Sequence, residues 1–135
     1  MASARRCSTE RLGVSMRLLA LVAALALACA AAAPAWAHAF PDNSLPHVGA
    51  IVDSSPPQVK VWFNGEIEPV FSTLIVTNAV GGAVSRGKGK VDAADQALLE
   101  TDIPETLAPG QYTVHWSVIA HDGHHTEGHF TFTVK

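Results

Sequence analysis

The stretch from His121 to His129 carries the residue types that bind transition metals. It reads His-Asp-Gly-His-His-Thr-Glu-Gly-His and holds four of the seven histidines of the chain. Neutral imidazole and carboxylate are the usual nitrogen and oxygen ligands of divalent transition metals, and glycine lets the backbone bring both to one point. In an extended segment Asp122 and His124 point the same way. The spacing predicts half of a metal site, although Asp-Gly is also a common hairpin turn.

The N-terminal segment predicts export. Four arginines precede and border an apolar run, Leu18 to Ala33, and Ala35-Trp36-Ala37 ends the segment with an Ala-x-Ala pattern. This order is typical of a secretory signal peptide. We therefore expect residues 1–37 to be removed and residues 38–135 to form one domain in the periplasm or another exported compartment.

Two other interpretations of this segment remain open. The apolar run is shorter than the ~20 residues that span a bilayer, but an uncleaved anchor is conceivable. A lipoprotein signal at Cys29 is disfavoured, because the leucine expected three positions before a lipidated cysteine is absent. Either case would leave His38 inside a longer chain without a free amine.

The composition of residues 38–135 excludes several classes of protein. Both cysteines and both methionines lie before residue 38, so the exported part has no disulfide and no sulfur ligand for Cu(I) or an iron–sulfur cluster. Five Lys and Arg side chains against eleven carboxylates give this part a net charge of −6, compared with −3 for the whole chain. Nucleic acid and anionic membrane surfaces are therefore not expected partners.

The mature part has the pattern of an all-β sandwich or barrel. Apolar residues recur mostly with period two, and turn residues interrupt them about every ten positions. The segment 93–99 fits a short helix, or, read as 97–101, an edge strand. The segment 107–112 resembles the tyrosine corner of Greek-key sandwiches, with Tyr112 bonding back across the connection. The clearest strands are predicted at 58–63, 72–77, 111–118 and 130–134.

A histidine at the first position of the exported chain adds a distinctive metal ligand. The α-amine and ring Nδ1 of His38 would close a six-membered chelate ring on one ion. The amine is usable because an α-amino group has a pKa of only about 8, so the metal can displace its proton. Together with Asp122 and His124 it would make a set of three nitrogens and one oxygen in tetragonal geometry, which favours Cu(II).

Taken together, residues 38–135 resemble the CopC family of periplasmic copper-binding proteins. The resemblance implies an immunoglobulin-like Greek-key β-sandwich of about seven strands. It also implies one Cu(II) per chain on His38, Asp122 and His124, a role in copper homeostasis or resistance, and exchange of copper with a membrane transporter of the CopD type. The matching segments are His38-Ala39, Val61-Trp62-Phe63, Glu68-Pro69, Phe71-Ser72, residues 107–116, Asp122-Gly123-His124 with Gly128, and residues 130–134.

Two departures from the family pattern shape the expected site. Members with a Cu(I) site use a methionine-rich segment, so this chain resembles the single-site Cu(II) subclass. Many members carry a glutamate near the copper where Gly65 stands here, and Glu66 follows one place later, which would turn its side chain the other way in a strand. Glu66, His121 and His125 are the candidates for residues around the metal, but exposed loop positions suit the two histidines better, and its direction in the strand speaks against Glu66.

Two other functions fit parts of the sequence. An N-terminal histidine that binds copper through its amine and its ring, known as a histidine brace, also occurs in lytic polysaccharide monooxygenases. Here Asp122 would fill a coordination position that dioxygen needs. Neither catalysis nor a polysaccharide substrate is therefore expected. A zinc-binding or purely structural sandwich is the other alternative. Preference for Cu(II) over Zn(II) would separate it from the copper carrier.

Overall fold

A computed structural model of the chain describes residues 39–135. The proposed signal peptide and His38 lie outside the described residues. Those that are described belong to one compact unit. Across residues 39–135, no helix has the length and apolar character needed to cross a membrane.

The described residues form a β-sandwich of two four-stranded sheets. The first sheet has the strand order β1-β3-β6-β5 and the second has the order β2-β8-β7-β4. Among the strand pairings within residues 39–135, only the short β2–β8 pairing is parallel. This architecture confirms the predicted all-β sandwich, with eight strands where about seven were expected. The strands are β1 (Pro41–Leu45), β2 (Ile51–Val52), β3 (Gln58–Phe63), β4 (Thr73–Thr77), β5 (Lys90–Val91), β6 (Leu98–Asp102), β7 (Gly110–Ile119) and β8 (His125–Val134).

The clearest strand predictions are confirmed by β3, β4, β7 and β8. The segment 93–99 is not a helix, because the Asp92 carboxylate accepts backbone N–H groups from Ala94 and Asp95 in a turn, and the strand begins at Leu98. The strand predicted at 97–101 is present as β6, but its predicted position at the edge of the sheet is wrong. β6 lies between β3 and β5, and its first four residues are buried.

Glu100 explains why a strand with a charged residue can lie inside the first sheet. Its side chain is only 8% exposed and pairs with Lys60 Nζ and Lys90 Nζ, each at 3.3 Å. Both lysines stand directly opposite Glu100, one on β3 and one on β5. Opposite charges at facing positions stabilise neighbouring strands, so a sequence that looks like an exposed edge is compatible with an interior strand.

The core lies between the sheets and is built from alternate strand residues, as the period-two pattern predicts. Trp116 is half-buried and meets Phe63 edge-on, with ring centroids 5.5 Å apart. Opposite Trp116 stands Gly128, where an added Cβ would lie 2.7 Å from the indole ring. Gly128 therefore makes room for the indole. The central core residues are Val59, Val61, Leu74, Val76, Leu99, Tyr112, Val114, Val118, Phe130 and Phe132.

The tyrosine corner is present at the start of β7. Tyr112 is 6% exposed, and its hydroxyl donates to the Ala108 carbonyl at 2.8 Å. Its ring stacks on Phe132 of β8, with centroids 5.6 Å apart. One side chain therefore connects the β6–β7 loop to the core.

Replacing Tyr112 with phenylalanine is expected to lower the free energy of unfolding by about 1 kcal/mol, because the ring contacts remain and one hydrogen bond is lost. Urea unfolding followed by circular dichroism measures the difference. An unchanged midpoint would contradict a stabilising role for the hydroxyl.

β7 and β8 are the longest strands and together carry the candidate site. They pair from Gly110 opposite Val134 to Ile119 opposite His125. The loop between them leaves the sandwich at one end. The Asp-Gly-His motif lies in this loop, so it is held between the two longest described strands.

Candidate metal centre

The loop between β7 and β8 is a tight turn closed by backbone hydrogen bonds. Ala120 N–H donates to the His124 carbonyl at 2.9 Å, and Gly123 N–H donates to the Ala120 carbonyl at 2.8 Å. Gly123 has φ of 87°, a left-handed conformation that glycine adopts without steric cost. The turn brings Asp122 and His124, on either side of the glycine, close to each other.

Asp122 and His124 interact through both backbone and side chain. Asp122 Oδ1 accepts the His124 backbone N–H at 3.0 Å, and Asp122 Oδ2 lies 2.8 Å from His124 Nδ1. The imidazole is 57% exposed and the carboxylate 26%. A nitrogen and an oxygen donor are thus held at one point that solvent can reach.

The spacing of these two atoms fits a shared metal ion. Two donors at right angles on one ion, each about 2.0–2.1 Å from it, lie about 2.9 Å apart. The separation between Asp122 Oδ2 and His124 Nδ1 is 2.8 Å, which is also the length of a hydrogen bond, so an ion bound by both atoms would replace the proton between them. The imidazole–carboxylate pair is also the donor chemistry that divalent copper accepts.

The first described residues are tied to the same end of the sandwich. Thr126, two residues after His124, donates its hydroxyl to the Ala39 carbonyl at 2.7 Å. Two hydrogen bonds join Phe40 to Asn64. The Phe40 backbone N–H donates to Asn64 Oδ1, and the Asn64 backbone N–H donates to the Phe40 carbonyl, both at 2.9 Å. Ala39 itself is 1% exposed. The chain next to His38 is therefore anchored beside the β7–β8 turn.

His121 interacts with the β3–β4 connection. Its Nδ1 lies 3.0 Å from Glu68 Oε1, and its backbone N–H donates to the Glu66 carbonyl at 3.0 Å. The Glu68 N–H donates to the Ile119 carbonyl at 2.8 Å, which holds this connection against the end of β7. Glu66 contributes a backbone contact, and its side chain is exposed.

Glu68 lies beside the turn, but the sequence did not predict it as a site residue. The glutamate predicted near the metal was Glu66, and Glu68 is 53 positions from His121 in the sequence. Only the pairing of the β3–β4 connection with β7 brings Glu68 to His121. No local pattern in the sequence could have indicated this contact.

His125 belongs to the outer face of the second sheet. Its Nε2 lies 2.8 Å from Ser117 Oγ on β7 and 3.9 Å from Glu127 Oε2. Both contacts are with residues that alternate away from the core. Of the histidines that flank the motif, His121 contacts Glu68 and His125 contacts Ser117.

Among residues 39–135, no three His, Cys, Asp or Glu side chains converge at metal-binding distances. Asp122 and His124 offer two donors, and the expected third residue, His38, lies outside the described residues. The structure therefore gives the positions of Asp122 and His124 and of the chain that follows His38.

Comparison with known proteins gives matches over most of the described chain. Residues 42–135 match the CopC domain family. Protein YobA of Escherichia coli K12 is 35% identical over 100 residues, which cover 74% of this chain and 81% of YobA. Copper resistance protein C of Xanthomonas campestris pv. juglandis is 30% identical over 128 residues, covering 90% and 98% of the two chains. The crystal structure of CopC from Methylosinus trichosporium OB3b superposes with a TM-score of 0.64 at 35% identity, covering 73% of this chain and 94% of that one.

Proposed function

This chain is a member of the CopC family, and we propose that it binds one Cu(II) ion through His38, Asp122 and His124 and carries or buffers copper outside the cytoplasm. Members of the family are copper-binding resistance proteins, not enzymes. The monooxygenase alternative is therefore set aside. The alternative to a copper carrier is a zinc-binding or purely structural domain, and metal competition distinguishes the two.

The observation that carries the proposal is the 2.8 Å separation between Asp122 Oδ2 and His124 Nδ1. It matches two neighbouring ligand positions on one metal ion. The turn that holds the pair is closed by backbone bonds, so the two donors are positioned before any metal arrives. A preformed pair lowers the entropy cost of binding.

The anchoring of Ala39 supports His38 as the remaining ligand. Thr126 fixes the Ala39 carbonyl next to the start of β8. Consecutive α-carbons are only about 3.8 Å apart, so this anchor would keep His38 within reach of the turn. After cleavage following Ala37, the α-amine and imidazole of His38 would add two nitrogens to the Asp122–His124 pair.

The donor types support the divalent state. Residues 38–135 contain no cysteine or methionine, and imidazole, amine and carboxylate suit Cu(II) better than Cu(I). The described part of the site is also open, with His124 57% exposed. An accessible ion can be passed to another protein, which suits a carrier that exchanges copper with a CopD-type transporter.

The proposed site depends on export. Removal of residues 1–37 as a signal peptide would deliver a domain of residues 38–135 to the periplasm and create the free amine of His38. The ligand set would thus be complete only after cleavage. Copper binding by the precursor inside the cell would be weak.

A Cu(II) titration of the protein beginning at His38, followed by electron paramagnetic resonance, tests the proposal. We expect one tight axial centre with nitrogen couplings, and a loss of affinity of about a hundredfold or more in His124→Ala, which removes a ligand. His47→Ala is the matched control, since His47 is exposed in the β1–β2 loop. Equal binding by wild type and His124→Ala would contradict the assigned site, and a preference for Zn(II) over Cu(II) would favour the zinc alternative.

A further inference from the structure

The outer face of the second sheet carries two histidines that the proposed copper centre does not use. His115 on β7 stands directly opposite His129 on β8. Their ring centroids are 6.0 Å apart, with the rings inclined by 37°. Both residues are exposed and line a shallow groove on the sheet.

We propose that His115 and His129 form a second, weaker Cu(II) site. Two imidazoles on one ion, with metal–nitrogen bonds of about 2.0–2.1 Å, have ring centroids no more than about 6–7 Å apart. The observed 6.0 Å lies within that limit, so modest rotation of the exposed rings would bring one nitrogen of each to the same ion. Copper heads the divalent affinity order for nitrogen donors.

The surroundings of the pair suit a cation. His115 Nε2 lies 3.2 Å from Thr77 Oγ1 on β4, a contact that restrains the ring and leaves Nδ1 for another partner. Glu127 lies two residues before His129 on the same face, lines the same groove and is 73% exposed. Its carboxylate adds negative charge to the groove.

The pair is separate from the Asp122–His124 centre. The hairpin ends where Ile119 faces His125, and the His115–His129 pair lies four positions further along the ladder. At 3.3–3.4 Å per residue this is about 13 Å. One ion cannot contact both places, and the pair lacks a chelating amine, so it should take up copper only after the first centre is filled.

Imidazole nuclear magnetic resonance during a Cu(II) titration tests this site. Beyond one equivalent of Cu(II), the ring signals of His115 and His129 should broaden together, ahead of that of His47, which lies in the β1–β2 loop. His115→Ala and His129→Ala should each weaken this second event by about tenfold or more and leave the first equivalent intact. Both substitutions are at exposed positions, and an unchanged circular dichroism spectrum checks the fold.

Two controls keep this result independent of the first centre. His125→Ala removes an imidazole from the same strand and the same face, and it should leave the second event unchanged. The protein with an acetylated His38 amine should keep the His115–His129 event, whatever happens to the first equivalent. Broadening of His47 equal to that of His115 and His129, or broadening that survives in both single variants, would overturn the second site.

Discussion

Acetylation of the His38 α-amine in the protein beginning at His38 is expected to weaken Cu(II) binding by about a hundredfold or more, a loss of at least roughly 3 kcal/mol of binding free energy. Acetylation turns the α-amine into an amide and removes the six-membered chelate ring without supplying a new amine. Asp122 and His124 keep their turn, because its closing bonds are made within residues 120–124. The effect therefore isolates the proposed contribution of the His38 amine.

Competition titrations against a chelator of known Cu(II) affinity measure this difference. The unacetylated protein and its Ala39→Gly variant form a control pair, since Ala39→Gly changes the same segment without blocking the amine. Equal affinity with and without the acetyl group would show that His38 does not bind through its amine. The histidines of the β7–β8 turn would then have to supply the site by themselves.

The parts of the fold that could be predicted from the sequence are those with local periodicity. β7 alternates Tyr112, Val114 and Val118 toward the core, and all three are buried. β6 was misjudged because its burial depends on long-range pairing. Glu100 is charged, and only the neighbouring Lys60 and Lys90 allow it to lie inside a sheet.

The candidate site also has parts that follow from local sequence and parts that depend on long-range contacts. The proximity of Asp122 and His124 follows from their spacing around Gly123, and the structure brings them to 2.8 Å. The contact between Glu68 and His121, and the anchoring of Ala39 by Thr126, depend on how distant segments meet. Thr126 and Ala39 are 87 positions apart, and no sequence pattern links them.

Replacing Phe132 with alanine is expected to lower the free energy of unfolding by about 3–5 kcal/mol, since a large buried ring leaves a cavity. Phe132 is 1% exposed and stacks on Tyr112. Residues 38–135 contain no cysteine, so no disulfide can compensate. For a domain with a typical total of about 5–15 kcal/mol, this loss would be a large part of the stability.

Phe71→Ala makes the same chemical change at a residue that is 63% exposed, and it should alter stability by only about 0.5 kcal/mol. Urea unfolding of both variants in metal-free buffer gives the comparison, and similar losses of stability in the two would contradict the assignment of Phe132 to the core.

Added Cu(II) should raise the unfolding midpoint of Phe132→Ala, because a ligand that binds only the folded state stabilises it by mass action. Recovery with Cu(II) that the amine-acetylated form of Phe132→Ala lacks would show that the stabilisation comes from copper bound at the His38 amine.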